Sequence, residues 1–533
     1  MYFDSRRSTV VATHGMVATS QPLAAVAGLK VLMEGGNAVD AAVAGAAVLN
    51  VVEPVSTGVG GDMFALVWNN KEKSVRAING SGRAAMGASL EAIRGQGHEK
   101  MPHRGVHSVV VPGAVHGWET LLDSCGTMPL SELLKPAIQY AEEGFPVSDI
   151  ISFQWSNMVD LLSQYPSGQE MLLNGRAPGH GELMRIPTLG RTLRTIGEGG
   201  SKAFYNGEIA SKIAAFVQEH GGCLSTEDLA SHTSDWEEPI STDYRGVTCW
   251  QCPPNGQGVA ALEALNIAEG FDIAEMGSQT PDTYHHLIEA MRLAFADAFQ
   301  YVADPSRVDV PTQELLSKDF ARTRRDLIDP KRAMTSVPYG KVHGGSDTIY
   351  LSAVDGEGNA CSFIYSIYSN FGSGMVVPGT GVVLHNRGSL FSLEPGHPNA
   401  LAGGKRPYHT IIPGLATVDD ELYLCYGIMG AFMQPQGHLQ VISNIVDHGM
   451  DPQAALNALR FIVTEEDVAL EEGIPPQVLD DLTSRGHKPR TISGYYRGMT
   501  GGMGGAQLIQ RDPDSGVLRG ASEPRKDGCA VGW

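Results

Sequence analysis

The stretch that most constrains the fold is Asn37 to Val52, NAVDAAVAGAAVLNVV. It reads as an Ala-rich helix that is apolar nearly all round. A helix without a polar face has to be buried. The chain can do this: 533 residues, 42% hydrophobic and 18% charged, are ample for a large core built as one big unit or two to four domains. A helix from Leu23 to Glu34 precedes it and stops at Gly35-Gly36, a normal C-terminal cap. Gly58 to Asp62, GVGGD, reads as a turn into a strand over Phe64 to Trp68. A phosphate loop would need the reverse order, strand, glycine turn, then helix. A further strand, Val75 to Asn79, ends in Gly80-Ser81-Gly82-Arg83-Ala84.

Charge and cysteine content exclude several functions. The formal charge of −20 argues against nucleic acid and anionic membranes as partners. No stretch approaches 18 apolar residues and the N-terminus lacks the apolar run of a signal peptide, so the expected location is cytoplasmic. Seven scattered cysteines do not make a disulfide framework. Cys249-Trp250-Gln251-Cys252 lies on an apparent strand, Gly246 to Cys252, rather than opening a helix as a redox pair would. His285-His286, adjacent on a long helix from Thr283 to Ala303, point about 100° apart and cannot share a metal. Neither a metal nor an organic cofactor is implied.

Gly344 to Phe371 holds the chemistry. Ile349 to Val354 is a strand, Asp355-Gly356-Glu357-Gly358-Asn359 a tight turn, and Ala360 to Ile367 the returning strand. Before it, a segment with His343, Gly344 and Gly345 runs into Asp347-Thr348. A threonine hydroxyl is a poor nucleophile unless a base lies beside it, and an N-terminal Thr carries one in its own α-amine. An internal Thr348 can use that chemistry only if the chain is cut before it. Downstream, Gly381 to Asn386 reads as a strand, and Leu422 to Tyr426 as a buried strand ending in Gly427-Ile428-Met429-Gly430-Ala431. A strand-to-glycine turn before a helix exposes the backbone N–H groups that an oxyanion hole requires. Val109 to Trp118 reads as strand, turn and helix, and Pro311 to Pro338 as a charged, turn-rich linker.

DTIYLSAVDGEGNACSFIYSIYSNFGSG closely resembles the processing-site region of the γ-glutamyltranspeptidase family. Ser352, Val354, Asp355, Gly358, Asn359 and Phe371-Gly372-Ser373-Gly374 align without a gap. The run from Gly35 to Ala42, Val52-Glu53-Pro54 with Gly60-Gly61, residues 381–392 and 404–436, and the tail also match. The resemblance implies an α+β fold, the N-terminal-nucleophile hydrolase αββα four-layer sandwich. It implies self-cleavage between Asp347 and Thr348, giving residues 1–347 as a large α chain and 348–533 as a small β chain within one αββα unit. Thr348 is then the nucleophile, Ser366 a hydroxyl bonded to it, and Gly430 and Ala431 the oxyanion donors. Arg83 is expected to bind a substrate carboxylate, with Tyr368, Arg387, His409 and Thr410 also facing substrate.

The departures concern recognition. Tyr368 replaces an Asn of the substrate pocket, and Leu390 replaces the acid that receives the glutamyl amino group. His409-Thr410 replace paired serines that hold the α-carboxylate. The pattern resembles a divergent, glutathione hydrolase-like branch. The expected activity is cleavage or transfer of γ-glutamyl groups from glutathione-like amides. The same mechanism on another small carboxylate-bearing amide, oxamate or a glutaryl amide, is the alternative. An unprocessed, inactive binding protein is the reading of a different class.

Overall fold

The computed structural model describes residues 7–335, 337, 348–464, 467–492 and 502–533. Asp347 and the loop residues His343, Gly344 and Gly345 lie outside the described residues. Two seven-stranded antiparallel sheets pack face to face. The first runs, in order, Cys529–Gly532, Met16–Thr19, Ile349–Val354, Ala360–Ser366, Asp62–Asn69, Ser74–Gly80 and Asp235–Glu237. The second runs Val10–Ala12, Leu518–Ser522, Gly505–Arg511, Glu421–Met429, Pro413–Val418, Val247–Gln251 and Ile240–Tyr244.

Helices cover both outer faces, which gives the expected helix–sheet–sheet–helix order. On the first sheet lie Pro22–Met33 and Ala38–Val52. The second of these begins with a capping box, in which the Asn37 side chain accepts from Val39 and Asp40 N–H while Asp40 accepts from Asn37 N–H. All fifteen of its residues are buried. Its approach to the sheet depends on glycine: a Cβ at Gly45 would lie 2.4 Å from Leu351 Cδ1. On the second sheet lie Gly258–Ala268 and Met433–Val446, and Pro281–Tyr301 packs on both of them.

Strand alternation sorts the side chains into layers. Ala65, Leu351, Phe363 and Tyr365 face the Ala-rich helix, whereas Phe64, Leu66, Tyr350 and Ile364 face Leu415, Cys425 and Ile509 across the sandwich. Several polar groups in that middle layer bond to one another. Tyr350 OH lies 2.7 Å from Ser362 Oγ and accepts from Ser352 Oγ at 2.9 Å, and Gly414 N–H donates to Ser362 Oγ.

Three local expectations are corrected. Only Val382–Val383 of the 381–386 stretch forms a strand, because its pairing ends where His385 and Asn386 turn into the interior. Val109 to Val111 makes no ladder and leads directly into the helix Ala114–Cys125. The 311–338 linker contains the helices Thr312–Leu315 and Lys318–Arg325. The second is pinned by an Arg324–Asp297 ion pair and by Arg325 donating to the Asn266 and Ile267 carbonyls. Cys249 and Cys252 are buried free thiols, and burial pushes the Cys249 thiol up to about 12, which makes it inert. Among the described residues no helix is long and apolar enough to cross a membrane.

Candidate active site

Register builds the centre of the site. Ile349 pairs with Tyr365, so Thr348, just before the strand, falls beside Ser366; Ser366 in turn pairs with Asp62 on the next strand. Cross-strand partners share a face. All three side chains therefore point into the middle layer, at the end where the apolar core gives way to polar groups. Each is fully buried. Thr348 Oγ lies 3.1 Å from Ser366 Oγ, and Ser366 Oγ accepts the Tyr368 N–H at 2.7 Å.

The second sheet supplies the opposite wall. Pro413 pairs with Gly427, so the residues before the first strand, His409 and Thr410, run beside those after the second, Gly430 and Ala431. Gln257 Nε2 clamps the two segments, donating to Thr410 O at 2.6 Å and Ala431 O at 2.9 Å. Gly430 has φ +122° and Ala431 φ +51°. The left-handed conformation is strained for alanine, and it turns the chain into the helix Met433–Val446. Neither the Gly430 nor the Ala431 N–H donates to another group among the described residues. Two adjacent unused amides at a tight turn can stabilise a developing oxyanion.

Between the walls lies a buried charged cluster. Asp62 Oδ1 accepts Gly82 N–H at 3.1 Å; Oδ2 accepts His409 Nε2–H at 3.0 Å and lies 3.1 Å from His385 Nδ1 and 3.7 Å from Arg387 Nε. Burial works to raise the Asp62 carboxyl, but His385 and His409 outweigh it and hold it well below the usual range. Burial, reinforced by Arg387, pushes His409 down to about 3, so its ring is a neutral donor to Asp62. Arg387 donates from Nη1 to Thr410 Oγ1 at 2.7 Å, and its guanidinium lies 4.6 Å from the centre of the Tyr368 ring. Burial lowers Arg387 to about 10, with Asp62 and Tyr368 opposing the shift.

Thr348, Ser366, Tyr368, Arg387, Thr410 and His409 are thus joined in one network, and Gln257 links it to the Gly430–Ala431 turn. Arg83 is placed elsewhere. Its guanidinium donates to Asp235 at 3.1 Å and to Thr233 O, Asp235 is shared with Arg406, and Arg83 lines a separate cavity of about 200 Å³. It contacts none of Thr348, Ser366, Tyr368 or Arg387.

The sequence reading missed Asp62, His385, Gln257 and Gln434, whose buried Nε2 has no partner among the described residues. The available signal for Asp62 was an acid opening the otherwise apolar strand DMFALVWN. It was hidden because GVGGD also reads as an ordinary turn. Beside the cluster opens a cavity of about 710 Å³, walled by Phe299, Tyr408, Phe432, Leu390, Phe391 and Leu393, with Glu99 and Glu394 exposed at its margin. Among the described residues no group of His, Cys, Asp or Glu side chains is arranged to hold a metal ion.

Comparison with known proteins gives a consistent result. The family profile described as gamma-glutamyltranspeptidase matches residues 24–533. A glutathione hydrolase-like proenzyme of Bacillus subtilis is 36% identical, over 98% of this chain and 99% of its own. The oxamate amidohydrolase proenzyme of Klebsiella pneumoniae is 35% identical, over 99% and 100%. The crystal structure of a cephalosporin acylase from Bacillus halodurans superposes with a TM-score of 0.94 at 47% identity, covering 100% of this chain and 98% of that one.

Proposed function

The chain belongs to the gamma-glutamyltranspeptidase family and is an enzyme of hydrolase and transferase type, and from that premise we propose a self-processing N-terminal-threonine amidohydrolase. The observation that carries the proposal is the Thr348–Ser366 hydroxyl pair, 3.1 Å apart and buried at a strand end, with a turn on the opposite sheet whose two amides are unused among the described residues.

In maturation, Thr348 Oγ attacks the Asp347 carbonyl carbon and the peptide C–N bond breaks. The acyl group moves from nitrogen to oxygen, and water hydrolyses the ester. The products are residues 1–347 and a second chain of 533 − 347 = 186 residues that begins with Thr348. The freed α-amine, with an ordinary pKa of about 7.7–8.0, accepts the Thr348 hydroxyl proton at neutral pH. Thr348 Oγ then attacks the substrate amide, the Gly430 and Ala431 N–H groups hold the oxyanion, and the amine leaves with a proton. Water or a second amine releases the acyl group from Thr348.

The favoured substrate is an amide whose acyl part carries a carboxylate but no α-ammonium group. Leu390, half-buried on the cavity wall, offers no charge to an ammonium. A γ-glutamyl amide such as glutathione is the second reading, favoured by the likeness to glutathione hydrolase-like proenzymes.

Intact mass under denaturing conditions tests the mechanism, with Thr348→Ala as control. Two chains parting before Thr348, absent from the control, are expected. One uncut chain in both samples would remove the catalytic amine and leave a binding protein.

A further inference from the structure

Arg387 is among the largest fully buried side chains of the protein, yet its guanidinium is only partly engaged. Nη1 donates to Thr410 Oγ1, Nε faces Asp62 at 3.7 Å, beyond hydrogen-bond distance, and Nη2 has no partner among the described residues. Buried polar groups are nearly always paired, and a charged donor left open is expensive. Asp62 does not close the gap. Its oxygens already take Gly82 N–H and His409 Nε2–H and lie against His385, so it offsets the charge of Arg387 while leaving the outer edge of the guanidinium free.

Two further features turn that edge into a binding site. Thr410 Oγ1 accepts from Arg387 Nη1, so its own O–H remains available to donate beside the guanidinium. The Tyr368 ring flanks the guanidinium, and the Tyr368 N–H holds Ser366, the hydroxyl partner of Thr348. One guanidinium and one neutral hydroxyl suit a singly charged, planar anion better than a phosphate. Arg83, the arginine expected from resemblance, is committed to Asp235 and Thr233.

We propose that Arg387 and Thr410 form the seat for the carboxylate of the substrate's acyl group, and that Arg83 does not. This rests on the amidohydrolase reading above and makes it specific. The chain acts on short acyl amides whose far end is a carboxylate, held beside Tyr368, whose N–H binds the nucleophile's hydroxyl partner.

The test compares purified, self-processed wild type with Arg387→Gln, Arg387→Lys and Arg83→Ala. The substrates are glutaryl-p-nitroanilide and the uncharged pentanoyl-p-nitroanilide. Glutarate binding is measured in parallel by calorimetry. In Arg387→Gln the preference for the glutaryl over the pentanoyl anilide should fall about 100-fold, through KM, with a matching loss of glutarate affinity. Arg387→Lys, which keeps the charge and loses the fork, should fall about tenfold. Arg83→Ala should keep the preference.

The proposal is overturned if glutarate binds Arg387→Gln as tightly as wild type, if wild type binds no glutarate, or if Arg83→Ala alone loses the preference. Should Arg387→Gln fail to fold, the lysine variant decides, with an undiminished preference counting against the proposal. Because the calorimetry needs no turnover, a protein that binds glutarate through Arg387 but cleaves neither anilide would sink the enzyme reading and spare this one.

Discussion

Arg460 and Arg525 lie nearly as deep as Arg387, with side chains 2% and 8% exposed against 0%. Their surroundings differ in completeness. Arg460 donates to Met503 O and Glu523 Oε2, both at 2.9 Å. Arg525 donates to both oxygens of Glu471, to Glu523 Oε1, and to the Leu456 and Ala458 carbonyls. Glu523 also accepts Ala506 N–H at 2.6 Å. Two arginines and two glutamates here neutralise each other, and no fully buried side-chain nitrogen of either arginine is orphaned among the described residues. The Arg387 cluster has one carboxylate, already occupied by histidine and backbone donors, and an open guanidinium edge. A buried charge that is fully paired fastens the scaffold, and a buried charge left partly open is where a ligand completes the set.

The saturated cluster also has an indirect role at the site. By holding Met503 and Ala506 it fixes the tail against the Gly430–Ala431 turn, where a Cβ on Gly430 would lie 3.0 Å from Gly504 Cα. The largest expected effect breaks this cluster. Glu523→Ala leaves the buried Arg460 guanidinium without its carboxylate and takes one of two carboxylates from Arg525, and should cost about 3–5 kcal/mol of unfolding free energy. Arg387→Gln removes a charge whose partner keeps its other donors, and should change stability by about 1 kcal/mol or less. Denaturant titration of both variants checks the contrast, and equal losses would erase the distinction between scaffold and site.

Acid sharpens the same comparison. Burial works to raise the Glu523 carboxyl, but Arg460 and Arg525 outweigh it, so its folded pKa is lowered. Its contribution is therefore complete above the unfolded value of about 4.3 and is lost as pH falls through the folded value. Melting curves of wild type and Glu523→Gln should be far apart at neutral pH and converge in strong acid.

These clusters mark the limit of what the sequence made legible. The Ala-rich helix starting at Asn37 and the hairpin around Asp355 to Asn359 depend on neighbouring residues, and local pattern and turn chemistry found them. Thr348, Ser366 and the Gly430–Ala431 turn were found through resemblance, and register now explains their proximity. Asp62 was not found. Its partners His385 and His409 lie more than 300 residues along the chain, and only strand pairing brings them together. The Lys318–Arg325 helix was hidden for the opposite reason: its charge made it look like a linker, and its anchoring ion pair to Asp297 is a tertiary contact.

A smaller effect is expected at Tyr368, whose ring covers one face of Arg387. A desolvated cation–π contact is worth about 2 kcal/mol, so Tyr368→Leu should weaken glutarate binding by roughly tenfold or somewhat more. Because Tyr368 is fully buried, the substitution should also lower the melting temperature through lost packing. An equal loss against the uncharged pentanoyl anilide would mean that Tyr368 shapes the pocket without supporting the guanidinium.

The smallest effect lies outside both clusters, at Leu390. Its carbonyl accepts from Asn399 Nδ2 at 2.7 Å, which fixes the backbone, while the residue lines the large cavity and is only half-buried. Leu390→Asp puts a charge where a γ-glutamyl ammonium is expected to lie, without touching Arg387 or Asp62. An ion pair this close to solvent is worth at most about 1 kcal/mol. The ratio of kcat/KM for γ-glutamyl-p-nitroanilide over glutaryl-p-nitroanilide should therefore rise by about three- to fivefold. A rise of that size would mean that the carboxylate seat and the amino-group filter are separable, one buried and strong, the other peripheral and weak. An unchanged ratio would put the filter against the ammonium group inside the buried cluster itself, where the positive charge of Arg387 repels it.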